Sequence, residues 1–128
     1  MPRSVRRPAA LKMRHQPDER TQRTLRDFLA FADLGARLIA RGRGAFDADE
    51  MLRLAAEAIL RRIGEAVSRL DSSFTEAHPE VAWRRMKGMR NVIAHDHDLV
   101  DHSILWNALE SDLPREAAAI ARIVSSGR

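Results

Sequence analysis

The stretch Gly88-Met89-Arg90-Asn91-Val92-Ile93-Ala94-His95-Asp96-His97 gathers a guanidinium, a carboxamide and two imidazoles within one short segment. RNA can be cut by such groups without a metal. A base removes the 2′-hydroxyl proton, an acid protonates the leaving oxygen, and a cation stabilises the extra charge on phosphorus. His supplies the first two roles near neutral pH. Arg supplies the third, because its fixed fork of donors matches phosphate oxygens and keeps its charge. Arg90 and His95 are therefore the candidate catalytic pair, with Asn91 beside them to orient the Arg or cap the helix. On an ideal helix a five-residue step turns by about 140°, so the two share a face only if the helix ends or distorts between them. A two-fold dimer meeting along this helix removes the difficulty, since it presents two Arg and two His to one cleft, one His as base and the other as acid.

Further side chains belong to the same reading. Glu65 is either a buried partner that orients Arg90 or a surface acid, and Asp96 could pair with Arg90 at the helix end. The Arg84-Arg85 and Arg61-Arg62 pairs are candidates for RNA phosphates or ordinary solvated faces. His95, Asp96, His97, Asp98, Asp101 and His102 could in principle ligate a divalent ion. The His-x-His spacing lacks the i, i+4 pairing that fixes two imidazoles on one helix face, so neither a metal nor another cofactor is expected.

These groups must be held by helices. From Asp18 to Arg41 the residues Leu25, Phe28, Leu29, Ala32, Ala36 and Ile39 recur at helical spacing, with Gly42 and Gly44 as the stop. Asp47-Ala48-Asp49-Glu50 has capping-box spacing, and Leu52, Ala55, Ile59, Ile63, Ala66, Val67 and Leu70 then form one stripe. A loop is expected from Asp71 to Pro79, with at most a short turn around Phe74. The motif helix should begin near Pro79 to Ala82, carry Trp83, Met86, Met89 and Ile93 inward, and end in the polar run His95 to Asp101. Asp101 or Ser103 can cap another helix bearing Leu105, Ala108, Leu109 and Leu113, which Pro114 should kink or divide before Ile120 and Val124. Trp83 and Trp106 read as core or dimer-interface anchors. Period-two alternation is absent, so the fold class is all-α: an antiparallel bundle of four to five helices, dimerising along the motif helix.

With 128 residues, 45% of them hydrophobic, the chain has material for one core. The formal net charge of +4 is unevenly placed. Residues 1–16 hold Arg3, Arg6, Arg7, Lys12 and Arg14 and no acid, so the remainder is slightly acidic and shows no bulk attraction for nucleic acid. That segment reads as a basic flexible tail and residues 17–128 as the helical domain. Without Cys there is no disulfide or thiolate site. No apolar run approaches the roughly 20 residues of a membrane span, and the start lacks a secretory apolar stretch. A cytoplasmic address is expected.

The sequence resembles the HepT-type toxins of the HEPN superfamily, whose signature is Arg, a polar residue, three more residues, then His, with Tyr two positions later. Beyond Arg90-Asn91 and His95, the similarity takes in Ile63-Gly64-Glu65-Ala66, His78-Pro79-Glu80 before Trp83, Gly88-Met89, Ala94, Asp96, Val100-Asp101, Leu105-Trp106 and Asp112-Leu113-Pro114. It runs from about residue 20 to the C-terminus. The resemblance implies a dimerising HEPN-like bundle and a metal-independent endoribonuclease centred on Arg90 and His95, leaving 2′,3′-cyclic phosphate ends. It also implies a toxin paired with an MNT-type nucleotidyltransferase antitoxin. The alternative it leaves is a non-catalytic helical partner that presents substrate to such a transferase. One departure stands out: the family's modifiable Tyr is replaced by His97, and the chain has no Tyr. Silencing by tyrosyl AMPylation is therefore excluded. Occlusion of the cleft by the antitoxin is the favoured reading, with a catalytic or modified His97 as the other.

Overall fold

The computed structural model describes residues 17–96 and 102–126, the side chains of residues 91–96 excepted. Helix α1 (Glu19–Ile39) begins where Asp18 adopts extended backbone and its carboxylate accepts the Thr21 N–H at 2.8 Å. That bond satisfies a donor the helix start leaves open. The Thr21 N–H, then its side chain, then the nearby Arg20 and Arg23 hold the Asp18 carboxyl below its ordinary range. The buried stripe of α1 is Leu25, Phe28, Ala32, Gly35 and Leu38, so its last turns face the core one residue earlier than the expected Ala36 and Ile39. Ala36 is exposed.

Gly42 ends the helix with a φ of 92°, a conformation that glycine alone adopts freely. Gly44 is no stop. It lies in a six-residue helix, α2 (Arg43–Ala48), which buries Phe46 completely and sets its ring 5.3 Å from that of Trp106. Arg53 closes α2 by donating to the Phe46 and Asp47 carbonyls at 3.1 and 2.7 Å. Helix α3 (Glu50–Ser68) starts at Asp49, whose carboxylate accepts the Met51 N–H at 2.9 Å. The expected capping box between Asp47 and Glu50 does not form, because Asp47 belongs to α2 and pairs with Arg43 at 2.9 Å. Ala56 and Leu60 join Ile59, Ile63, Ala66 and Val67 in the core, while Ala55 is exposed.

The expected loop contains the short helix α4 (Ser72–Ala77) around Phe74, followed by the motif helix α5 (Trp83–Asp96). Helix α6 (His102–Asn107) runs through a π turn (Ala108–Asp112) into α7 (Leu113–Ser126). Ser103 lies inside α6 and is not its cap, and Asp101 is outside the described residues. Pro114 does not divide this run. In the wider turn just before it, the Leu113 N–H reaches back five residues to the Ala108 carbonyl. A proline ring and its missing N–H disturb an ordinary α ladder, and a wider turn makes room for both.

Helix α1 lies between α3 and α7, and α5 packs chiefly on α3, so the motif helix stands at the end of a row. Leu25, Phe28, Ile63, Met86, Leu105, Leu109, Leu113 and Ile120 fill the interior, each almost fully enclosed. Trp83 and Trp106 are both core residues. There is no strand among the described residues, and none of their helices is long and apolar enough to cross a membrane.

Candidate active site

The motif helix is fixed first at its N-terminal end. The Glu116 carboxylate of α7, only 5% exposed, accepts the Ala82 N–H at 2.9 Å and the Arg115 Nε–H at 3.3 Å. Asp112, in the π turn, accepts from Arg85 at 2.8 Å and lies 3.5 Å from Arg115. The π turn thus aims one carboxylate at the first full turn of α5. Trp83 adds a buried anchor: its indole N–H donates to the His78 carbonyl at 2.8 Å, and Phe74 meets both its ring and that of His78. Glu80 accepts at 3.4 Å from the His78 ring, and its carboxyl is held below its usual range, first by its own backbone N–H and then by His78.

The second fixed point is Arg90. Here α3 and α5 touch backbone to backbone, and Gly64 is the reason. A Cβ at position 64 would fall 2.9 Å from the Arg90 Cβ and 3.0 Å from the Lys87 carbonyl oxygen. One turn along α3, the Ser68 hydroxyl accepts from Arg90 Nη1 at 3.3 Å and donates to the Glu65 carbonyl at 2.7 Å. The half-buried guanidinium is thereby aimed by a neutral group, and no Glu65–Arg90 ion pair exists among the described residues. Glu65 is half-buried and reaches the arginine through its backbone carbonyl and Ser68. A guanidinium held by a hydroxyl keeps its charge available to a phosphate, whereas a carboxylate would neutralise it.

Asn91, His95 and Asp96 lie on the last turns of α5, and only their backbone is described. The helix continues unbroken through them. It neither ends nor distorts between Arg90 and His95, so the turn of about 140° stands. His97 lies outside the described residues, as do Asp98 and Asp101. The arginine pair Arg84-Arg85 is split: Arg85 is engaged by Asp112, while Arg84 lines a recess of about 350 Å³ with Lys87, Trp83, Ser72 and Thr75. Arg62 lies over the Phe31 ring at 5.8 Å and lines a different groove. Sequence reading did not single out Gly64, Ser68 or Glu116 as positioning groups. A glycine within a helical stripe signals close backbone approach. Ser68 and Glu116 carry no comparable local signal.

Comparison with known proteins adds the family. The family model described as HepT-like, ribonuclease HepT-like, matches residues 22–123. A candidate RNase of Methanocaldococcus jannaschii is 34% identical over 67 residues, covering 52% of this chain and 62% of that protein. A probable ribonuclease HepT of Thermococcus cleftensis is 35% identical over 69 residues, covering 54% and 63%. A candidate RNase of Caldanaerobacter subterraneus subsp. tengcongensis is 32% identical over 79 residues, covering 62% and 70%. The matched region spans less than two thirds of the length of the first two relatives. No solved structure matches the chain.

Proposed function

This chain belongs to the HepT-like ribonuclease family, and from that premise we propose that it is a metal-independent endoribonuclease acting at a dimer cleft. The observation that carries this reading is the Arg90 guanidinium, pinned where α3 and α5 touch and, among the described residues, held by a hydroxyl and not by an acid. In the reaction, the 2′-oxygen loses its proton to His95 and bonds to the adjacent phosphorus. The bond from phosphorus to the 5′-oxygen breaks, and that oxygen takes a proton from His95 of a second copy. A 2′,3′-cyclic phosphate and a 5′-hydroxyl result. Arg90 stabilises the charge that grows on the non-bridging oxygens, and Asn91 orients it. Arg84 and Lys87, on the preceding turns of α5, take flanking phosphates.

The biological reading is the toxin half of a pair with an MNT-type nucleotidyltransferase antitoxin, which silences it by covering the cleft. His97, standing where the resemblance leads one to expect a modifiable Tyr, is the one motif position at which modification would replace occlusion. Purified protein should cleave RNA in the presence of EDTA, leave cyclic phosphate ends, and lose activity by about 10²-fold or more in His95→Ala and Arg90→Ala, the range of a lost acid–base or charge-stabilising group. Full activity in folded His95→Ala would overturn the assignment. An added AMP mass on His97 after co-expression with the transferase would replace occlusion by modification.

A further inference from the structure

On the side of α3 away from Arg90, two helical stripes face each other across an open groove of about 520 Å³. Helix α1 contributes Phe31, Leu34 and Leu38 and is followed by Arg41; α3 contributes Leu52, Ala55 and Ile59 and runs on to Arg62. The two helices are antiparallel, since Arg62 lies over Phe31, so a cation stands near each end of an aliphatic floor. No acid lines the groove. Arg37 on the rim pairs with Asp33 at 3.2 Å, but among the described residues Arg41 and Arg62 have no acidic partner. Leu34 is left 41% exposed on the floor, so the groove presents apolar surface at its opening.

We infer that this groove docks an amphipathic helix of another protein, about three turns long, with aliphatic residues along one face and carboxylates at both ends. The length follows from the span of Phe31 to Arg41, about 15 Å at helical rise. Charge complementarity selects the occupant. Residues 1–16 of this chain carry five bases and no acid, so they share the sign of the rim and are repelled. A second copy packed by two-fold symmetry would bring arginine rims together. RNA would satisfy the cations but not the floor, which is aliphatic, offers no base-reading donors, and has its one aromatic face, Phe31, already covered by Arg62. Only a polypeptide brings aliphatic side chains and carboxylates at helical spacing. Arg62 and Gly64 are two residues apart, a rotation of about 200° on α3. An occupant of the groove therefore leaves the Arg90 face open, and the surface is independent of the cleavage site.

The test uses the full chain and a labelled, stapled three-turn peptide bearing Leu at i, i+3 and i+7 and Glu at both ends, followed by fluorescence anisotropy. Saturable binding is expected, weakened about tenfold or more in Arg41→Glu/Arg62→Glu through the reversed charge, and lost in Leu34→Asp, with RNA cleavage unchanged in both variants. The proposal is overturned if the Glu peptide does not bind, or if the same peptide with Lys in place of Glu binds equally well. It is equally overturned if single-stranded RNA is the ligand that the double variant loses, or if Leu34→Asp abolishes self-association of the chain. Circular dichroism of each variant separates loss of the groove from loss of the fold.

Discussion

Arg90 owes its position to two residues that carry no charge. Introducing a methyl group at Gly64 would place it 2.9 Å from the Arg90 Cβ and 3.0 Å from a backbone oxygen, and neither can swing aside as the end of a flexible side chain would. Gly64→Ala is expected to separate α3 from α5, costing about 1–3 kcal/mol as an overpacked core does, and to lower RNA cleavage further than that loss explains. Urea titration and single-turnover cleavage on the same sample measure the two effects. Ser68→Ala should do the opposite, leaving stability within about 1 kcal/mol while slowing cleavage, and Ser68→Thr should restore the rate by restoring the hydroxyl. The chemistry proposed for Arg90 and His95 is a reading of residue type, since few side chains can move a proton near neutral pH or hold a phosphate. Ser68 was not legible in this way, because its hydroxyl gains a partner 22 positions away only through the crossing of two helices.

At the scale of elements, the long helices α1, α3 and α5 were readable because each repeats its apolar period several times. The six-residue helices α2 and α4 were not, since neither is long enough to complete two turns of a stripe, and α2 is identified by one buried ring, Phe46. Pro114 was read only in part for a related reason: proline argues against a regular α turn, and the chain answers with a π turn and not with a break. Glu116 fixes the start of α5, so Glu116→Ala removes the acceptor of the part-buried Ala82 N–H and should destabilise the fold by about 1 kcal/mol, whereas Glu116→Gln keeps an acceptor and should lose less. Thermal melts rank the two. The cap of α1 adds a pH dependence. The Asp18 carboxyl is held below its ordinary value of 3.8, so its contribution is complete above that value and is lost as pH falls through the lowered one. The difference in melting temperature between wild type and Asp18→Asn should be present at pH 7 and fade under strong acid.

For the whole molecule, the governing feature is the place of α5 at the end of its row, packed chiefly on α3 and, near its first turns, tied among the described residues to α4, the π turn and α7. On the proposed function, an end helix that carries Arg90 and His95 about 140° apart relies on a second copy to bring both groups to one scissile bond. Cleavage per chain should therefore fall on dilution through the range where sedimentation shows the dimer separating; a rate per chain that ignores dilution would argue for a self-sufficient monomer. The edge position was not readable from periodicity, which says that a helix has a buried face but not how many neighbours cover it. The Glu116 carboxylate lies 34 residues beyond the N–H it accepts, and that separation sets an order in time. During synthesis the motif helix leaves the ribosome with its first turn unfinished, and the carboxylate that completes it comes from a helix that emerges later. On the proposed function, the first turn of the helix that carries Arg90 and His95 stays incomplete until α7 has been made.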